Sequence, residues 1–176
     1  MSDNGVETFG RYFEDFEVGD VYRNWPGRTI SEADDTWFSL LTQNQNPVHI
    51  DAHYSENHTV HEQCLVNGIL VFAIVIGQCV PSVSGRGGVA LEYEKIVHEA
   101  PTFHGDTIYS EARIVDKWES SKGDRGVVQL DCFGYNQRNE RVLSVRRKLL
   151  VPKRNHPTLG EDAEFFPVVE QSDGSA

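Results

Sequence analysis

An α+β fold, with one buried helix laid across an antiparallel sheet, is what this sequence predicts. Three observations predict it. Gly68–Val80 (GILVFAIVIGQCV) is the most apolar stretch of the chain. Four strand-like runs follow it: Gly88–His98, Thr107–Trp118, Gly126–Tyr135 and Arg141–Val151. Turn-forming pieces separate the runs, namely Ala100-Pro101, Gly105-Asp106, Ser120–Asp124 and Asn136–Glu140. A buried helix followed by a meander of strands has one compact solution, the helix against one face of the sheet.

Taken in order, the first element is a helix from Glu32 to Thr42. Ser31 can accept a hydrogen bond from its free N–H groups, and Glu32, Asp34 and Asp35 suit its positive end. Trp37, Phe38, Leu40 and Leu41 supply an apolar face. The helix must end near Gln45-Asn46-Pro47, because the residue before a proline avoids helical angles. Residues 43–67 are polar, hold His49, His53, His58 and His61, and predict a loop with a short turn of helix. Gly68–Val80 is too long for a typical strand, so it predicts a helix wrapped on all sides. In the strands, period two puts Val128, Leu130 and Cys132 on one face, and Leu143, Val145, Arg147, Leu149 and Val151 on another. Arg147 on an apolar face needs a partner. That partner is an Asp or Glu of the fold, or an anion carried by a ligand.

The chain has 176 residues, 39% of them hydrophobic, enough for one core without disulfides or metal. A single domain is expected over residues 8–153, with an acidic, flexible tail over 154–176 that closes in Ser-Asp-Gly-Ser-Ala. Asp plus Glu number 27 against 16 Lys plus Arg, for a net charge of -11. A general nucleic-acid binder is excluded on that balance. No run is long and apolar enough to span a membrane, and the opening residues lack the pattern of a signal peptide. A cytoplasmic location is therefore expected, with Cys64, Cys79 and Cys132 as reduced thiols. The acid is unevenly spread. Residues 138–154 hold seven bases (Arg138, Arg141, Arg146, Arg147, Lys148, Lys153 and Arg154) against Glu140 alone, which predicts an anion-binding patch.

The chemistry concentrates in Phe38–His49 with Ser55 beyond it. Pro47 stiffens a turn, and Asn44, Asn46 and His49 can converge on a small polar pocket beside apolar helices. A histidine there can move a proton near neutral pH, and an amide can hold a water. His49 and His53, and His58 and His61, have spacings that could hold a metal, but no acidic or cysteine set completes them, and no metal is expected. Gly85-Arg86-Gly87-Gly88 lacks the Lys-Ser/Thr of a phosphate loop and reads as a turn. Asp51 could orient the His49 imidazole or be a solvated loop acid.

These residues resemble the MaoC-like dehydratase and R-specific enoyl-CoA hydratase family. Its motif runs aromatic, aliphatic, small residue, Gly, Asp, any residue, Asn-Pro, aliphatic, His, and Ala or Ser six positions on. Here it reads Phe38, Leu41, Thr42, Gln43, Asn44, Asn46-Pro47, Val48, His49 and Ser55. Gly10–Phe16 with Val18-Gly19-Asp20, Val66–Leu70, and Pro101-Thr102-Phe103 with Gly105-Asp106-Thr107 extend the likeness over residues 10–152. The subgroup it resembles comprises mesaconyl-CoA and itaconyl-CoA hydratases, whose substrates carry a second carboxylate.

The resemblance implies a hotdog fold, in which a sheet wraps a central helix and units pair as a homodimer or higher homo-oligomer. It implies an acyl-CoA thioester substrate and hydration of a 2-enoyl-CoA or its reversal, with no cofactor. It implies His49 as acid/base, Asn44 at the position of the family's Asp, and Gly68 as backbone donor to the thioester oxygen. Asn46 and Arg147 are expected to bind substrate. The start of a helix supports the Gly68 assignment independently, since free N–H groups and a partial positive charge suit a developing enolate. Two positions depart from the motif: Gln43 replaces Gly and Asn44 replaces Asp. An asparagine cannot take a proton, so Asn44 leaves three outcomes. It orients a water while His49 moves the proton; the substrate's own carboxylate takes part; or hydration is lost. The rival activities are a hotdog acyl-CoA thioesterase and a non-catalytic CoA-ester-binding protein.

Overall fold

The computed structural model describes residues 9–160. Five strands form one antiparallel sheet in the order β1-β3-β4-β5-β2. They are β1 (Val21–Thr29), β2 (Val89–His98), β3 (Thr107–Glu119), β4 (Arg125–Tyr135) and β5 (Arg141–Pro152). The helices are α1 (Glu32–Leu41), α2 (Pro47–Ile50), α3 (Ala52–His58) and α4 (Gly68–Gln78). The sheet folds around α4, the hotdog arrangement.

The core is the inner face of β3, β4 and β5 against one side of α4. Ile108, Ala112 and Ile114 of β3 meet Val128, Leu130 and Cys132 of β4 and Leu143, Val145, Leu149 and Val151 of β5. Leu70, Val71, Val75 and Cys79 of the α4 segment close it. Alternation assigns both faces correctly because each strand has one side in the core. Where α4 crosses β4 there is no room for a side chain. A Cβ on Gly134 would stand 2.6 Å from a methyl of Val75.

Four features differ from expectation. The meander holds for β3, β4 and β5, but β2 pairs with β5 at the far edge. The strand β1 was not predicted. Its sequence VYRNWPGRT is interrupted by Pro26 and Gly27, which usually end a strand. Here Asn24 pairs with Ser110 and Arg28 with Ile108, so residues 25–27 bulge out of an edge strand where a missing N–H costs nothing. Helix α4 is not wrapped on all sides: Ile69, Ala73 and Gly77 of its outer face are exposed in the single chain. Finally, residues 43–67 hold two short helices. Pro47 ends no helix but opens one, at the first helical position, where its lack of an N–H is harmless.

The expected tail divides. His156 is buried, and the Gly160 N–H bonds its carbonyl at 2.9 Å. The remainder of the predicted tail, 161–176, lies outside the described residues. The predicted anion patch is taken up by the fold. Arg138, Arg141, Arg146, Lys148, Lys153 and Arg154 pair with Asp106, Glu99, Asp131, Glu92, Glu119 and Asp15 respectively. For Arg146, Lys148 and Arg141 the cause is position: β5 lies between β4 and β2, so Asp131 of β4, Glu92 of β2 and Glu99 just beyond β2 face its bases across the ladder.

Candidate active site

The predicted residues lie on the segment joining α1 to α4. Helix α1 begins as expected, with Ser31 and Asp34 exchanging bonds across a capping box. Its buried face is not the predicted one. Trp37, Leu40 and Leu41 are exposed, Phe38 is half-buried, and Asp35 and Ser39 are buried. The reason is polar: the helix docks by hydrogen bonds onto the start of α4. Asp35 Oδ1 accepts the Asn67 N–H at 2.8 Å, and Asn67 Nδ2 donates to Ser39 Oγ at 3.2 Å. Asp35 Oδ2 takes the remaining partner, His104 Nε2, at 3.0 Å. Sequence reasoning missed Asp35 and His104 as site residues. An acid in the first helical turn already suits the positive end of the helix, and only the fold brings residue 104 to it.

At the end of α1 the chain must reverse. Gln43 does so with φ of 57°, the left-handed region where glycine is at ease. The motif's glycine therefore has a conformational cause, and Gln43 meets the same demand at a cost. Gln43→Gly should raise stability by up to about 1 kcal/mol, read as a shift of the urea midpoint at constant slope.

Asn44 and Asn46 build the next turn. Asn44 Oδ1 accepts the Asn46 N–H at 3.1 Å, and Asn46 Oδ1 accepts the Val48 N–H at 3.3 Å, capping α2. Each amide keeps its NH₂ group free of these bonds. His49 stands in the last turn of α2, half-buried. Its Nδ1 lies 2.8 Å from the carbonyl oxygen of Leu65. A carbonyl only accepts, so Nδ1 carries the hydrogen, and Nε2 of the neutral ring has an open lone pair. The Leu65 N–H in turn bonds the Val48 carbonyl at 2.9 Å, locking α2 to the strand-like lead into α4. Ser55, the last motif position, is fully buried and donates to the Val48 carbonyl at 3.3 Å, holding α2 from behind. Asp51 does not orient the imidazole; it caps α3 through the Tyr54 N–H at 2.9 Å.

Three residues after Leu65, Gly68 opens α4, with Asn67 capping through the Ile69 N–H at 3.1 Å. A Cβ on Gly68 would stand 2.7 Å from the His98 ring. The glycine thus admits an imidazole from the end of β2 beside the helix start. His53 bonds Asn57, His58 packs on Tyr54 and His61 on Phe103.

Arg147 is not brought to this site. It is 1% exposed, deep in the core, and its charge acts on Cys79, the residue that ends α4. Eleven helical residues, about 16 Å, separate that end from Gly68. Among the described residues it has no carboxylate partner.

Comparisons with known proteins follow the same lines. A family model described as mesaconyl-CoA hydratase matches residues 3–167. Mesaconyl-CoA hydratase of Cereibacter sphaeroides is 29% identical over 146 residues, covering 83% of this chain and 42% of that protein. Beta-methylmalyl-CoA dehydratase of Chloroflexus aurantiacus is 29% identical, covering 83% of this chain and 41% of that protein. In three dimensions, a MaoC domain protein dehydratase from Chloroflexus aurantiacus matches with a TM-score of 0.79 at 25% identity, over 95% of this chain and 46% of that one. The chain spans less than half the length of the curated relatives it matches.

Proposed function

Because the chain belongs to the mesaconyl-CoA hydratase family, we propose that it is a hydro-lyase that adds water to a 2-enoyl-CoA thioester, or removes it. The observation that carries this reading is the His49 ring. It is pinned at Nδ1 by the Leu65 carbonyl, with Nε2 open, on the segment that leads into the start of α4.

In the hydration direction, Nε2 takes a proton from a water held by the Asn44 amide. The oxygen bonds to the β-carbon, and the double-bond electrons move to the thioester as an enolate. The enolate oxygen is stabilised by the Gly68 N–H and the positive end of α4, the next three N–H groups being bonded to Asn67. The imidazolium then returns the proton to the α-carbon, which restores the neutral ring. The thioester itself makes the α-carbon acidic, so the scheme needs no cofactor or metal. The names of the relatives favour mesaconyl-CoA as substrate, with itaconyl-CoA as a near alternative. With Arg147 in the core, Asn46 is the substrate-binding residue retained from the sequence, and a second carboxylate must find another partner. The proposed setting is the cytoplasm; no described helix is long and apolar enough to cross a membrane.

The partner we propose is a second copy. Strand β2 is an edge with Val89, Leu91, Tyr93, Ile96 and Val97 all exposed, and Phe72 of α4 packs on Tyr93 at 5.1 Å between ring centres. An apolar edge of that length invites pairing with another strand.

The test is an ultraviolet assay over mesaconyl-CoA, itaconyl-CoA and crotonyl-CoA, with a thiol reagent in parallel. Loss of enoyl absorbance without free thiol supports the hydratase. Release of free thiol identifies a thioesterase, and binding with neither change identifies a non-catalytic CoA-ester binder. Asn44→Asp should keep or raise the rate on crotonyl-CoA, since a carboxylate can still hold the water and can also take a proton. A total loss would give the amide a role of its own.

A further inference from the structure

The other end of α4 holds a cluster that the hydration scheme does not use. Cys79 closes the helix, and its sulfur lies 3.9 Å from that of Cys132 on β4. Both side chains are fully buried. Asn24 Nδ2 is 3.4 Å from the Cys79 sulfur and Ser110 Oγ is 3.8 Å from it. Arg147 lies close enough to act on both sulfurs, and its Nε and Nη2 have no hydrogen-bond partner among the described residues.

A buried guanidinium demands a counter-charge. No described carboxylate supplies one; the thiol pair can, when Cys79 gives up the hydrogen it donates to the Val75 carbonyl at 3.2 Å. The Cys79 thiol is pulled down to about 7, first by its hydrogen bond with Cys132, against burial, and further by the charge of Arg147. Cys132 is pushed up, by the same bond and by burial, so it keeps its proton. A thiolate with a resolving thiol in contact is the arrangement of an oxidant-reactive cysteine. Access runs through Asn24. That residue lines two recesses, of about 750 and about 430 Å³, and Ser110 lines the first. Asn24 thus stands between the buried Cys79 sulfur and both recesses, and a small hydroperoxide reaches the sulfur when that side chain moves aside.

We propose that Cys79 and Cys132 are a peroxide-reactive pair, Cys79 the attacking sulfur and Cys132 the resolving one. The Cys79 thiolate attacks one peroxide oxygen. An S–O bond forms, the O–O bond breaks, and the departing oxygen leaves as hydroxide or alkoxide and takes a proton. Asn24 and Ser110 offer donors to the oxygens, and Arg147 holds the negative charge. The Cys132 sulfur then gives up its proton and attacks the sulfenic sulfur of Cys79, expelling hydroxide that is protonated to water. Two thiols and one hydroperoxide thus give a disulfide, an alcohol (or water) and water. The bond ties the C-terminal end of α4 to β4. An external thiol reductant resets it.

The experiment treats the full chain with hydrogen peroxide, then counts thiols in denaturant and maps peptides by mass. Of the three thiols, two should be lost, with a mass decrease of two hydrogens, a Cys79–Cys132 linked peptide, and recovery on reduction. Cys132→Ser should stop at a sulfenic acid on Cys79, trapped by dimedone; Cys79→Ser should leave Cys132 reduced. Arg147→Met should slow the oxidation by about tenfold or more, through loss of thiolate. Oxidation of Cys64 while Cys79 and Cys132 stay reduced overturns the proposal, as does dimedone trapping on Cys132. None of these readouts depends on hydratase activity.

Discussion

His49→Ala should lower the rate of enoyl-CoA hydration by about 10²–10⁴-fold, the usual cost of a lost acid/base group. The effect belongs to chemistry rather than folding. His49 is half-buried and, among the described residues, its one side-chain bond is to Leu65, so its removal costs about 0.5–1.5 kcal/mol of stability. The fold survives that loss because α2 keeps its independent anchors, the Asn46 cap, the Leu65–Val48 backbone bond and Ser55. The measurement is initial rate against substrate concentration for both proteins, with circular dichroism as the control. His49→Gln should lose as much, since an amide cannot carry the proton. Undiminished turnover in either variant would remove the imidazole from the mechanism.

Asp35→Ala should cost about 2–4 kcal/mol of stability, the penalty for leaving the buried hydrogen-bond partners of a carboxylate unsatisfied. Asp35 is fully buried and binds both the Asn67 N–H and His104, so its removal strands two polar groups at the junction of α1 with α4. Asp35→Asn should recover part of the loss, because an amide oxygen can still accept from Asn67. Urea unfolding at constant slope reads both. A cost under about 1 kcal/mol for the alanine variant would show that water replaces the carboxylate there.

The contrast between these two residues shows what the sequence could reveal. His49 stands in a motif whose spacing is local: helix, turn, proline, histidine. The strands were legible for a similar reason, since alternation survives wherever one face meets the core. Asp35 was read only as an acid at the positive end of α1, because its true partners lie 32 and 69 positions away. The same blindness applied to Trp37, Leu40 and Leu41, whose apolar pattern suggested a buried face. The fold instead buries the two polar residues that hold α4 by hydrogen bonds. Arg147 was placed correctly on an inward face, but its surroundings were not readable, because Cys79 and Cys132 come from other elements. Strand β1 was hidden by Pro26 and Gly27, which a central strand would not tolerate and an edge bulge does.

The charge pairs of β5 restrict how this sheet can grow. Its outer surface is laced by Arg146–Asp131, Lys148–Glu92 and Arg141–Glu99, and stripping water from such pairs to stack another layer flat upon them is unfavourable. Face-to-face sandwiching is thereby discouraged, while the bare flank at β2 stays open to in-plane extension. The second copy proposed at β2 would widen the sheet like a lengthening ribbon rather than thicken it.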